Sequence, residues 1–111
     1  MLPLAISFRD MEPSPALETL VRECSDKLEQ VFERIERCDV VIERPHRHHH
    51  HGQRIHVRVH VAIPGPDIDI SYTHDLDPAN ENAYTAVRSA FRAARRQLEQ
   101  RRSRREIRVK E

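Results

Sequence analysis

Residues 54–63 read Arg-Ile-His-Val-Arg-Val-His-Val-Ala-Ile, and the strict alternation of that stretch limits the possible folds more than any other feature of the chain. Ile55, Val57, Val59, Val61 and Ile63 fall on one side of an extended strand, with Arg54, His56, Arg58, His60 and Ala62 on the other. A β-branched face of that length must be covered by other elements, while the charged face can meet water. The alternation therefore predicts a sheet with one covered and one open side. A chain of 111 residues has room for one such core and not for two.

The flanking segments supply the remaining strands and the cover. Leu4, Ile6 and Phe8 alternate with Ala5, Ser7 and Arg9 as a first strand. After Pro13-Ser14-Pro15, with Ser14 placed to cap and Pro15 at the first helical position, apolar residues recur at helical spacing from Leu17 to Ile35. Cys38 to Glu43 is a short β-branched strand, and Pro64-Gly65-Pro66-Asp67 is a tight turn leading to a strand through Ile68, Ile70 and Tyr72. Asp77-Pro78 repeats the cap-then-proline signature, and a second helix is predicted from about Ala79 to about Arg104, with Tyr84, Val87, Phe91, Ala94 and Leu98 as its buried seam. The fold expected is α+β: a two-layer α/β sandwich of order β-α-β-β-β-α, a four-stranded mixed sheet with two helices packed on one face. The boundaries expected are a domain over residues 1–105 and a short basic tail over 106–111.

Charge is distributed unevenly under a net value of +1. Residues 1–45 hold six Lys/Arg against ten Asp/Glu, residues 46–87 three against five, and residues 88–111 ten against three, so the balances are −4, −2 and +7. A cationic helix on an otherwise mildly acidic chain points to a polyanion, most often nucleic acid. On a helical projection Arg88, Arg92, Arg95 and Arg102 form a stripe beside the buried seam, with Arg96 just beyond it. Guanidinium groups suit this task because they bind phosphate through two parallel hydrogen bonds. Aromatic residues are few, which favours recognition of RNA backbone and shape over stacking on bases.

Seven of the eight histidines lie between His46 and His60, four of them consecutive at His48 to His51. Between two strands this run reads as a hairpin loop with Gly52 as its flexible point. One reading makes the loop a partly cationic finger, with Arg47 and Arg54 permanently charged and His48, His49, His50 and His51 gaining charge as pH falls. The alternative is a small metal-binding or metal-responsive protein using His46 and His48 to His51, although consecutive loop residues do not readily converge on a tetrahedral ion. A solvated loop without any ligand is the third possibility.

Several classes find no support in the residues. No apolar run approaches the roughly 20 residues of a membrane span, and the start of the chain lacks the pattern of a signal peptide. Two separated cysteines, Cys24 and Cys38, suggest free thiols in a reducing cytoplasm. No nucleophile triad or glycine-rich phosphate loop is present, so neither an enzyme nor a cofactor or small-molecule substrate is expected.

The element order, the helix Tyr84-Thr-Ala-Val-Arg-Ser-Ala-Phe-Arg-Ala-Ala-Arg-Arg-Gln-Leu98 and the loop Ile42-Glu-Arg-Pro-His-Arg-His-His-His resemble the ribosome hibernation promoting factor family, which includes the ribosome-associated inhibitor and chains labelled sigma-factor modulation protein. The resemblance runs from Ile6 to about Arg102. Tyr84, Ala86, Val87, Arg96, Gln97 and Leu98 match the family helix, while Arg88 stands where Asp is usual and Ala93 where Lys is frequent. The resemblance implies binding to rRNA in the decoding region of the small ribosomal subunit, inhibition of translation, and preservation of idle ribosomes in stationary phase or stress. The sequence ends at Glu111 soon after the second helix, so a short form of the family is expected, with the small ribosomal subunit and its rRNA as partner. A single domain with a polar open sheet face is expected to be monomeric when bound, while an unprotected edge strand leaves self-association open. The candidate rRNA contacts are Lys27, Arg88, Arg92, Arg95, Arg96, Arg101 and Arg102, with Arg47, His48 to His51 and Arg54 as auxiliary loop contacts.

Overall fold

The computed structural model describes residues 2–45, 54–75 and 81–110, with side chains from 82 to 104 in the last of these segments. Its elements are β1 (Leu4–Arg9), α1 (Pro15–Val31), β2 (Arg37–Glu43), β3 (Arg54–Ala62), β4 (Ile68–Asp75) and α2 (Glu81–Lys110). The histidine run and the expected Asp77-Pro78 helix start lie outside the described residues.

The four strands form one sheet in the order β1-β2-β3-β4. β1 runs parallel to β2, a pairing that requires a crossover, and α1 provides it. β2–β3 and β3–β4 are antiparallel, with Val40 opposite Val59 and Val59 opposite Ile70. Every second residue of the inner strands is buried, Cys38, Val40 and Ile42 on β2 and Ile55, Val57, Val59 and Val61 on β3, and Ile68 and Ile70 of the edge strand β4 join them. This face packs beneath Leu17, Val21 and Leu28 of α1 and Val87, Phe91 and Leu98 of α2. The two-layer architecture expected from the alternation is the one observed.

Helix α1 starts as its residues dictate. The Ser14 Oγ accepts a hydrogen bond from the Leu17 N–H at 3.2 Å, Pro15 occupies the first turn, and Glu18 places negative charge there. Its end departs from the expectation. The apolar period continues to Ile35, but the helix stops at Val31 and Phe32 turns to extended backbone, φ −126 and ψ 114. Its last turn holds no basic residue. Arg102 of α2 instead donates to the Val31 carbonyl at 3.3 Å and covers the Phe32 ring, so the terminus is fixed by a tertiary contact.

The other differences have similar causes. β4 continues to Asp75 beyond the expected Tyr72, because Thr73, His74 and Asp75 pair with His56, Ile55 and Arg54 although they carry no apolar signal. α2 runs to Lys110, past the expected end near Arg104, since no Gly or Pro follows and Arg, Glu and Lys are good helix formers. Its buried surface is also wider than the predicted seam, adding Ala83, Ala86 and Ala90, while Tyr84 is half-buried. Small side chains let the helix backbone approach the sheet closely.

Ile42 has no exposure at the centre of this core. Ile42→Ala is expected to cost about 2–4 kcal/mol in urea unfolding through lost burial and a cavity. Ser14→Ala is expected to cost about 1 kcal/mol by removing the cap. Equal losses from the two would show that the sheet interior does not carry the stability assigned to it.

Candidate nucleic-acid interface

Helix α2 places the cations where the strand geometry cannot. Arg88, Arg92, Arg95, Arg96 and Arg102 are exposed, while Arg101 is half-buried. The flank bearing Arg88 and Arg102 lies beside α1. Arg88 sits near enough to act on the Cys24 thiol, and Arg102 reaches the end of α1 at Val31. The two helices therefore run in the same direction. Lys27, exposed on α1, acts on Cys24 as well, so it stands on the same ground as Arg88. Burial raises the Cys24 thiol above its ordinary range, while Lys27 and then Arg88 draw it down.

The candidate arginines fall into two groups. Arg88, Arg92 and Arg96 make no hydrogen bond or ion pair among the described residues. Arg95 pairs with Glu99 one turn on, Nε to Oε1 at 3.0 Å, with both side chains largely in water, a contact that stabilises by only a few tenths of a kcal/mol. Arg101 and Arg102 are held by the fold. Arg101 donates from Nη1 to the Pro66 carbonyl and from Nη2 to the Asp67 carbonyl at 3.5 Å, bracing the β3–β4 turn. Arg102 lies with its guanidinium carbon 4.8 Å from the Phe32 ring centroid. Helical spacing distinguishes none of these roles, because the acceptors belong to a turn and to the end of another helix.

The open sheet face carries a hydrogen-bonded network of its own. His56 Nδ1 lies 2.9 Å from Thr73 Oγ1, and its Nε2 lies 3.1 Å from Ser71 Oγ. His60 sits between two carboxylates, Nδ1 at 2.6 Å from Asp69 Oδ1 and Nε2 at 2.9 Å from Asp67 Oδ2. Asp39 stands across from His60 on β2 and takes a 2.9 Å contact from Arg37. Arg54, an expected auxiliary contact, pairs with Asp75 at 3.3 Å in water. His60 and Arg54 on this face thus have local acceptors, while Arg58 is exposed and makes no hydrogen bond or ion pair among the described residues. Set among these carboxylates, Arg58 offers a polyanion less than the α2 row does. Arg47, His46 and His48 to His51 lie outside the described residues, and among the described residues no group of His, Cys, Asp and Glu could hold a metal ion.

The thiols are not poised for chemistry. Cys38 is fully buried, and burial, aided by the Asp39 charge, pushes its pKa up to about 12. No helix among the described residues is long and apolar enough to cross a membrane.

The hydrogen bond to Asp69 is the chief cause raising the pKa of His60 above 6.5, with Asp67 adding to it and desolvation opposing it. The sign follows: the protonated imidazole stabilises the folded state in full below about pH 6.5, and that stabilisation is lost as pH rises through the folded-state value. An NMR titration should show the His60 midpoint falling in Asp69→Asn, and the variant should lose stability more at pH 5.5 than at pH 8.5. An unmoved midpoint would remove Asp69 as the cause.

The sequence profile of the family described as sigma 54 modulation protein / S30EA ribosomal protein matches residues 4–106. The search of curated proteins finds no match. Among solved structures, the chain is similar to a ribosomal subunit interface protein from Coxiella burnetii, with a TM-score of 0.73 and 17% identity, over 92% of this chain and 99% of that one. It is likewise similar to the N-terminal domain of Protein Y from Thermus thermophilus, with a TM-score of 0.63 and 15% identity, over 90% and 98% of the two chains. At such identities the structural likeness speaks for the fold. The profile match spans all six elements, from the first residue of β1 into the last turns of α2, and on it the chain belongs to the sigma 54 modulation protein / S30EA ribosomal protein family.

Proposed function

We propose that this chain is a ribosome-associated translation inhibitor that binds rRNA in the decoding region of the small subunit and promotes ribosome hibernation in stationary phase or stress. The observation that carries the reading is the row Arg88, Arg92 and Arg96, exposed on α2 and without a counter-ion among the described residues. A polyanion recovers the interaction that the fold leaves unmade there. Family membership and the likeness to a ribosomal subunit interface protein support rRNA as that polyanion.

The side chains divide the work by their surroundings. Arg88, Arg92, Arg96 and Lys27 contact phosphates directly. Arg95 joins by exchanging the Glu99 carboxylate for a phosphate at little cost, since the pair is exposed. Arg101 and Arg102 add their charge while keeping their carbonyl acceptors, and they hold α2 in register with the β3–β4 turn and with α1. The loop of Arg47 and His48 to His51, with Arg54 at its edge, is an auxiliary contact. No catalytic step, cofactor or membrane enters this function.

The four direct phosphate contacts, Arg88, Arg92, Arg96 and Lys27, by themselves predict that affinity for purified small subunits falls on the order of a hundredfold between about 50 and 200 mM salt, and Arg95 makes the fall steeper. Arg92→Ala with Arg96→Ala is expected to lower the log–log salt slope by about 2 and to weaken co-sedimentation at every salt concentration while leaving the unfolding midpoint unchanged. Wild-type affinity and slope in that variant would refute the assignment of the α2 row. Protection of rRNA outside the decoding region in chemical footprinting would refute the proposed location.

A further inference from the structure

At the end of the molecule where α1 stops, a groove of about 750 Å³ opens between the residues after α1, the β3–β4 turn and α2 from Leu98 to Arg104. Its floor is aliphatic: Ile35 and Ile63 are half-buried, Pro64 is exposed, and Leu98 closes the base. Its rim holds Arg34, Arg101, Arg102 and Arg104 against the single carboxylate of Glu33. None of these four arginines makes an ion pair among the described residues. Arg101 and Arg102 are fixed by backbone carbonyls, which hold the guanidinium groups in place without neutralising their charge. Such pre-positioned cations pay little ordering entropy when an anion arrives.

The floor decides which anion fits. A nucleobase needs an aromatic face, and the one ring in the groove, Phe32, is buried and already covered by Arg102. Isoleucine, proline and leucine surfaces match aliphatic side chains instead. We propose that this groove is a docking site for an acidic polypeptide segment carrying aliphatic anchor residues, its carboxylates meeting the arginine rim and its anchors seated on Ile35, Ile63 and Pro64. The groove shares Arg101 and Arg102 with the proposed rRNA contacts, but Arg34 and Arg104 take no part in them, and the groove stands whether or not the rRNA reading holds.

The test uses the full chain and a fluorescein-labelled decapeptide of glutamate and aspartate with two central leucines, followed by anisotropy. Binding should weaken by about tenfold or more when the leucines become alanines at unchanged peptide charge. It should also weaken strongly in Arg34→Glu with Arg104→Glu, both exposed positions where circular dichroism should remain that of the wild type. Arg92→Glu with Arg96→Glu should bind the peptide as the wild type does while losing small-subunit binding. Equal binding of the alanine peptide would overturn the proposal, because the floor would not be read. Equal loss in the two arginine variants would overturn it as well, because the peptide would be sensing only the general cationic field. A single-stranded oligoribonucleotide that displaces the peptide from the wild type, and whose own binding is lost in Arg34→Glu with Arg104→Glu, would make the groove a nucleic-acid site and sink the polypeptide reading.

Discussion

The pairing of β2 with β3 is the constraint on which everything else depends. It aligns Cys38, Val40 and Ile42 with Val61, Val59 and Val57, all of them fully or almost fully buried, and so creates an apolar face that water cannot be allowed to reach. Parallel addition of β1 then requires a crossover, and that crossover becomes the first covering helix. β4 extends the face by one strand, and α2 is the one further amphipathic segment among the described residues to cover it. Both helices are committed to the same side for that reason. The opposite face is left to the exposed Arg58 and to histidines, hydroxyls and carboxylates, among which His56 and His60 find partners.

The electrostatics follow from this layering. On the open sheet face nearby acids meet several of the cations, as Asp67 and Asp69 meet His60 and Asp75 meets Arg54. A helix with ten Lys/Arg against three Asp/Glu in its segment of the chain cannot pair its charges in this way. The fold sorts that surplus into distinct uses. Arg101 and Arg102 join α2 to a turn and to the end of α1, Arg95 leans on Glu99, and Arg88, Arg92 and Arg96 stay free among the described residues. The same helix thus carries the rim of an apolar groove near its far end and a bare cationic row nearer its start.

Much of this was legible in the residues. The alternation of residues 54–61, the Ser14 cap, the Pro64 to Asp67 turn and the seam of Val87, Phe91 and Leu98 each appear where they were expected, whereas Ala62, expected on the open side, is buried and Ile63 lies beyond the strand. The misses share a physical cause. Thr73, His74 and Asp75 join β4 through backbone pairing, which leaves no trace in hydrophobicity. Phe32 and Ile35 continue a helical period that the chain abandons at Val31, because the end of α1 is met by an arginine seventy-one residues further on. Ala86 and Ala90 count weakly on any apolar scale, yet they are fully buried because small side chains are what a close helix–sheet contact needs. The signal that could have separated Arg101 from Arg96 was faint: only its position under the turn distinguishes it.

By itself the sequence determined the kinds of element, their order, the face each must bury and the end of the chain where positive charge collects, since all of these follow from side-chain periodicity and count. Only the tertiary structure decided which of those charges remain available to a ligand. A helical projection places a side chain on a flank, but whether it finds an acceptor depends on what another part of the chain brings to that flank. Here a turn offers the Pro66 and Asp67 carbonyls, and a helix end offers that of Val31. Those carbonyls fix Arg101 and Arg102 in place, and no acceptor among the described residues reaches Arg88, Arg92 or Arg96.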